Sequence, residues 1–399
     1  MKKRYWIPLL VLAIAASAFF AFAPGFAERD MNRIDGKPLP EVSEDAKALH
    51  ATLDIVDLHA DTLLWKRSMV YAADRGHVDL PRLEAGNVAV QVFSSVTKTP
   101  TDQNYDSNSA DGDNITLLAV GQLQPVRTWS SLLERTLYHA EKLERAARES
   151  NGMIIPIETP NDLDGVFGHR RIKGPQFVGA LLSVEGLHNL EGDAANLERI
   201  YDAGVRMAGL THFFDNELAG SMHGIEKGGL TPFGRNIVRR MEEMGMIVDI
   251  AHLSHTGVAE VLAMARRPVV SSHGGVQATC KVNRNLTDAE IRGLAATGGI
   301  IGVGYWEGAV CDTSPKAIAA AMNHIRDLVG IEHVALGSDY DGAVEVRFDT
   351  SKLVQVTQAL MDAGFSEREI RAVMGGNAIR VLREGMKPLA DVAQPATNS

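Results

Sequence analysis

Eight short apolar segments rich in β-branched residues recur along this chain, and most are separated by amphipathic stretches of helical period. They are DIVDLH (54–59), VAVQVFSS (88–95), FVGALLSVE (177–185), VRMAGLTH (205–212), MIVDIAH (246–252), PVVSSH (268–273), GIIGVGY (299–305) and HVALGSD (333–339). Strands that alternate with helices form a parallel sheet, because a parallel connection needs a crossover. Eight such units in about 300 residues fit a single α/β (β/α)8 TIM-type barrel. The alternative is an open doubly wound sheet. It has no fixed strand number, and no glycine-rich phosphate fingerprint follows the first strand.

The intervening stretches carry helix signals. TPFGRNIVRRMEEMG (231–245) has Thr231 as N-cap, Pro232 at the first helical position and Gly245 as a stop. Residues 255–265, 286–298 and 314–330 read likewise, and Thr287 with Glu290 makes a capping-box pattern. The polar stretch TPTDQNYDSNSADGDN (99–114) has no apolar period and reads as a long loop after the second strand. It is either a lid or a plain insertion.

The N-terminus reads as a targeting segment. Lys2, Lys3 and Arg4 precede an apolar run from Trp6 to Ala23, and small residues follow. Cleavage sites fall at Ala21-Phe22-Ala23 and Gly25-Phe26-Ala27; Pro24 disfavours the first, so cleavage is expected after Ala27. The alternative is an uncleaved anchor, since the run is near the lower limit for spanning a bilayer. Both readings export the remainder to a periplasmic or other extracytoplasmic space. No cysteine lies near the cleavage region, which excludes a lipoprotein anchor there. The domain plan is residues 1–27 as signal or anchor, 28–44 as polar linker, 45–385 as barrel and 386–399 as tail.

Net charge is −10, and no long basic run follows the first residues, so nucleic acid is not an expected partner. Cys280 and Cys311 fit no zinc pattern. Two free buried thiols are expected, with one bridge as the alternative.

Metal-competent residues fall at the strand ends. His59 and Asp61 end the first expected strand, Glu185 the third, His212 the fourth, His252 the fifth, His273 the sixth and Asp339 the eighth. Barrel enzymes place their chemistry on that face. Imidazole and carboxylate ligands suit zinc where thiolates are absent. Two ions about 3.5–4 Å apart need a bridging carboxylate, and Glu185 lies between the two groups of ligands. A hydroxide shared by both ions would then be the nucleophile. Each residue alone has a plain reading: Asp61 as a helix cap, Glu185 as a loop charge, Asp339 and Asp341 as a turn. His255, His188, His223, His324 and His333 are read as loop or capping residues.

The sequence resembles the membrane dipeptidase (renal dipeptidase-like) zinc peptidases from about Ala46 to Leu382. The matching pieces are DLHADT (57–62), SVEG (183–186), LTHFFDNELAGS (210–221), GLTPFGRNIVRRMEEMGMIVDIAHLS (229–254), PVVSSHGGVQATCKVNRNLTDAEIR (268–292), ALGSDYDG (335–342) and GGNAIRVL (375–382). The resemblance implies a (β/α)8 barrel with two zinc ions per chain. It implies that His59 and Asp61 bind one ion, Glu185 bridges, and His252 and His273 bind the other. It gives His212 the role of polarising the substrate carbonyl, Arg284 that of binding the substrate carboxylate, and Asp339 that of acid/base. The expected function is therefore that of an exported dipeptidase. Two alternatives stand beside it: a metal-dependent hydrolase of another small amide, ester or lactone, and a non-catalytic metal- or ligand-binding protein. The cysteine count removes the basis for a disulfide-linked dimer of the mammalian type, and a non-covalent homodimer stays open.

Overall fold

The computed structural model describes residues 6–389. Lys2, Lys3 and Arg4 of the targeting segment, and residues 390–399 of the tail, lie outside the described residues. Eight parallel strands close into a barrel: β1 (Ile55–Ala60), β2 (Val88–Val96), β3 (Val178–Glu185), β4 (Val205–Gly209), β5 (Ile247–Asp249), β6 (Val270–Gly274), β7 (Ile300–Val303) and β8 (Val334–Leu336). Each pairs with the next, and Leu336 of β8 pairs with Asp57 of β1 to close the ring. Every residue of β1, β2 and β3 is buried. This is why they read as nearly continuous apolar runs rather than alternating ones.

A three-residue strand, Ile154–Pro156, was not among the expected eight. It pairs with Val178–Ala180 of β3. β2 already holds one edge of β3 over Gly179–Glu185, so this strand shares the other edge with β4.

Four observed strands stop short of their expected ends, β7 at Val303 among them. β4 ends at Gly209, β5 at Asp249 and β8 at Leu336. His212, His252 and Asp339 thus lie in loops, each three residues past its strand (212 − 209, 252 − 249, 339 − 336). His252 and Asp339 take left-handed backbone, with φ of 63° and 61°, which breaks the ladder.

The outer helices follow their caps. Thr231 accepts from Gly234 N, Pro232 opens the helix Pro232–Met244, and Gly245 closes it at φ 77°. The Thr287–Glu290 capping box is formed. Ser254 caps the helix His255–Met264, so His255 is its first residue, paired with Glu290 at 2.6 Å.

The cysteines depart from expectation. Cys280 and Cys311 form a disulfide. It ties the loop after β6 to the turn Glu307–Val310 after β7, where Asn285 also bonds Cys280 O and Ala309 O. A separation of 31 residues hides this neighbourhood from the sequence.

The segment 28–44 is polar but docked. Glu28 and Asn32 are buried, and Arg33–Ile34 pairs in parallel with Glu345–Val346. Upstream, one helix runs from Trp6 to Met31, through both expected cleavage sites. Its stretch Pro8–Met31 contains an 18-residue window of mean hydropathy 2.2 and is long enough to cross a membrane.

The helix Glu44–His50 ends on a buried histidine. His50 Nδ1 is 2.9 Å from Thr357 Oγ1, and Nε2 donates to Gly86 O at 3.1 Å. Burial pushes its pKa down from 6.5 to about 4, against a weaker upward pull from the Gly86 carbonyl. The unfolded chain therefore takes up this proton more readily than the native one. The native state loses stability as pH falls from about 6.5 toward 4. His50→Gln keeps a donor for Gly86 and does not titrate. In scanning calorimetry its Tm should fall less than that of the wild type over the same interval; equal falls would show that His50 carries none of the acid sensitivity.

Candidate metal centre

β1 delivers the first ligands. His59 lies in the strand and Asp61 just beyond it, with His59 Nε2 3.5 Å from Asp61 Oδ1. Glu185 closes β3 and faces the others. Its Oε2 is 3.7 Å from His59 Nε2, and its Oε1 is 2.7 Å from His252 Nε2 and 3.1 Å from His273 Nε2. His212 Nε2 is 3.5 Å from the same Oε1. His252 and His273 bring their Nε2 atoms within 3.0 Å of each other. Asp339 Oδ1 is 3.9 Å from His59 Nε2.

All seven expected residues therefore meet at the C-terminal mouth of the barrel. Three groups have donor atoms mutually within 4.8 Å: His59, Asp61 and Glu185; Glu185, His212 and His252; and His59, His273 and Asp339. Glu185 and His59 each belong to two of them. His59 Nε2 and Asp61 Oδ1 are buried without a hydrogen-bond partner. A buried polar atom left unpaired costs about 1–3 kcal/mol, which an ion would offset. Three carboxylates and four imidazoles cluster here beside Arg284, so the donor set fits divalent metal.

The charges point the same way. Burial alone would raise Glu185, yet His212 and His59 beside it, with His252 and His273 against its Oε1, hold it well below the usual carboxylate range. Burial and Arg284 push His252 well down, and burial and His59 do the same for His273, so both are neutral donors. Burial pushes Asp339 well above the carboxylate range; His59 opposes this, while Asp61 and Glu185 add to it.

A supporting layer escaped the sequence reading. His273 Nδ1 donates to Ser272 Oγ at 2.8 Å, and Ser272 Oγ donates to Asp249 Oδ2. This fixes the tautomer that presents Nε2. Asp57 Oδ1 accepts from His59 N and Ser338 N, tying β1 to the Asp339 loop. Both carboxylates had a signal. Asp57 is two residues before His59, and i, i+2 share a face of a strand; Asp249 ends β5.

Arg284 is buried beside the metal residues. Its Nη2 donates to His273 O at 2.7 Å, its guanidinium lies 5.6 Å from the Trp306 ring, and its Nε has no partner. The cavity above holds about 600 Å³ and is walled by Tyr105, Phe213, Trp306 and, from the N-terminal helix, Phe19, Ala23 and Met31. Tyr105 belongs to the polar 99–114 loop and bonds Trp306 Nε1 through its hydroxyl at 3.0 Å. That loop is thus part of the cavity wall.

His188 and His223, read as loop or capping residues, are buried. His188 Nε2 lies 2.9 Å from Thr97 Oγ1, and His223 stacks on Phe213 with its Nδ1 donating to Tyr105 O. Burial pushes each down to about 3, so both are neutral packing groups around the site. His324 pairs with Asp288, and His333 Nδ1 donates to Gly299 O.

The family described as membrane dipeptidase (peptidase family M19) matches residues 43–394. The chain belongs to the membrane dipeptidase family. It is 29% identical to dipeptidase aclJ of Aspergillus oryzae, over 95% of this chain and 87% of that one. It is 28% identical to dipeptidase 3 of Mus musculus, over 86% of this chain and 67% of that one. Among solved structures, a metallo peptidase from Rhodobacter sphaeroides, liganded with a phosphinate mimic of the dipeptide L-Ala-D-Ala, superposes with a TM-score of 0.65. Identity there is 21%, with 84% of this chain and 99% of that one covered, so the likeness shows the fold. This member of the dipeptidase family is thus a (β/α)8 metallopeptidase with candidate metal-binding clusters at the barrel mouth.

Proposed function

We propose that this family member is an exported dipeptidase using two zinc ions, bridged by Glu185. The observation that carries the reading is the convergence of His59, Asp61, His252 and His273 on Glu185, with Arg284 Nη2 3.5 Å from His252 Nε2. Zinc in this site supplies Lewis-acid activation of water and of the scissile carbonyl.

The protein's own groups do the rest. Arg284 offers a buried, partly unpartnered guanidinium to the substrate carboxylate, which a fork of N–H donors matches in two parallel bonds. His212 points its Nε2 at Glu185 Oε1 and stands ready to donate to the carbonyl oxygen as negative charge develops there. Asp339 takes a proton from the attacking water and delivers one to the leaving amine. Burial raises its pKa and so favours the proton-carrying form. Trp306, Phe213 and Tyr105 exclude water from the cleft.

Export is supported by the N-terminal apolar helix and by the Cys280–Cys311 bridge, since disulfides persist in oxidising compartments. Acceptance of a C-terminal D-residue is supported by the L-Ala-D-Ala mimic bound by the Rhodobacter protein.

The reading is tested with one purified, zinc-loaded sample. L-Ala-L-Ala and L-Ala-D-Ala should be cleaved, and C-terminally amidated dipeptide, a simple ester and a lactone should be poor substrates. Faster turnover of the ester or lactone than of any dipeptide would favour the general-hydrolase alternative.

A further inference from the structure

The loop that carries Asp339 does not hold its own shape. Asp339, Asp341 and Ala343 all take left-handed backbone, with φ of 61°, 63° and 60°. Aspartate tolerates this conformation better than most residues, and alanine does not. Three such residues within five persist only where the surroundings over-determine them.

Two sets of contacts do so. Asp341 is the hub of the first. Its carboxylate accepts from His77 N at 2.6 Å, from Thr62 Oγ1 at 2.7 Å and from Arg67 Nη2, and its carbonyl accepts from Trp65 Nε1 at 2.7 Å. Arg67 is itself held from behind: its Nε donates to Glu28 Oε1 at 2.5 Å. Glu28 Oε2 accepts from Arg75 Nε at 2.8 Å. Glu28, Arg67 and Asp341 are all buried. The second set comes from the residues just after Glu28. Asn32 Oδ1 accepts from Ala343 N at 2.9 Å, and Asp35 N donates to Val346 O at 2.9 Å. Residues 28–35 therefore grip the catalytic loop at both ends, one residue beyond the expected cleavage after Ala27.

We propose that Glu28 and Asn32 are positioning residues for the hydrolytic reaction. Glu28 acts through Arg67 on Asp341, Asn32 acts on Ala343, and together they hold the backbone that aims Asp339 at the metals. This rests on the dipeptidase reading above. The role assigned to the segment 28–35 also requires that a processed chain begin no later than Glu28.

The test uses the full chain, zinc-loaded, in detergent, with Glu28→Gln, Asn32→Ala and the double variant. Asn32→Ala removes one hydrogen bond and is expected to fold even where Glu28→Gln does not. A mis-aimed proton carrier lowers kcat and leaves ground-state binding alone. Each single variant should lower kcat roughly ten-fold, with KM within about two-fold of wild type, since small misplacements in an active site cost up to about a hundred-fold. Metal content should match wild type, and amide hydrogen exchange should speed up in residues 339–346. A general structural defect would instead lower Tm and speed exchange throughout the barrel. Wild-type kcat with unchanged exchange in 339–346 would overturn the proposal. So would loss of metal in parallel with activity, which would place the effect on the ligands. If the wild type itself cleaves no dipeptide, the functional reading fails, and faster local exchange in the variants still establishes the clamp.

Discussion

Asp339→Asn should lower dipeptide turnover by roughly a hundred-fold or more, the usual scale for a lost general acid–base group. The amide keeps the shape of the side chain and cannot carry the proton. The expectation rests on where the carboxylate sits. It is buried, and burial pushes its pKa well up; His59 pulls it back, and Asp61 and Glu185 push it further. Burial favours the protonated form of this carboxyl, the form that hands a proton to a leaving amine. Its Oδ1 also lies 3.9 Å from His59 Nε2, in a group with His273 that could hold an ion. The same variant therefore decides between two roles. Metal content near wild type with activity lost makes Asp339 the proton carrier. Metal lost along with activity makes it a ligand.

Arg284→Met should lose about 2–4 kcal/mol of transition-state stabilisation on free dipeptides, the scale of a desolvated charge-assisted pair. That is roughly one and a half to three decades in kcat/KM. Arg284→Lys should recover only part of it, because a lysine supplies charge without the fork. The guanidinium is buried, anchored on His273 O and beside Trp306, with Nε unpartnered. It is built to meet something in the cavity. Kinetics on a C-terminally amidated dipeptide provide the control: that substrate lacks the carboxylate, so the variants should lose little on it. Equal losses on both substrates would show that Arg284 acts on the fold or the metals, because its Nη2 also lies 3.5 Å from His252 Nε2.

The barrel was legible because its strands are buried on both faces and read as unbroken β-branched runs. The strand Ile154–Pro156 was not, because three residues leave no period to detect. The strand ends were overrun at His212, His252 and Asp339. The apolar pattern continues into loops there, and only the left-handed turns at His252 and Asp339 show that the ladder has stopped. The seven converging residues were legible as strand-end histidines and carboxylates. Their supports were less so. Asp57 shares a strand face with His59 and Asp249 ends β5, signals that were available, whereas Tyr105 reaches Trp306 from a loop 201 residues away in sequence. The Cys280–Cys311 bridge and the docking of Glu28 are likewise long-range pairings. A sequence shows which groups exist, and only the closed fold shows which ones meet.

Metal analysis of wild type and Glu185→Gln side by side tests whether Glu185 bridges two zinc ions in a dipeptidase site. After zinc loading and exhaustive dialysis, the wild type should retain close to two ions per chain and cleave dipeptides. Glu185→Gln should lose metal from both sites together, since Glu185 lies within reach of both the His59–Asp61 pair and His252, and activity should fall with it. A Glu185→Gln protein that keeps two ions and full dipeptide turnover would contradict the account.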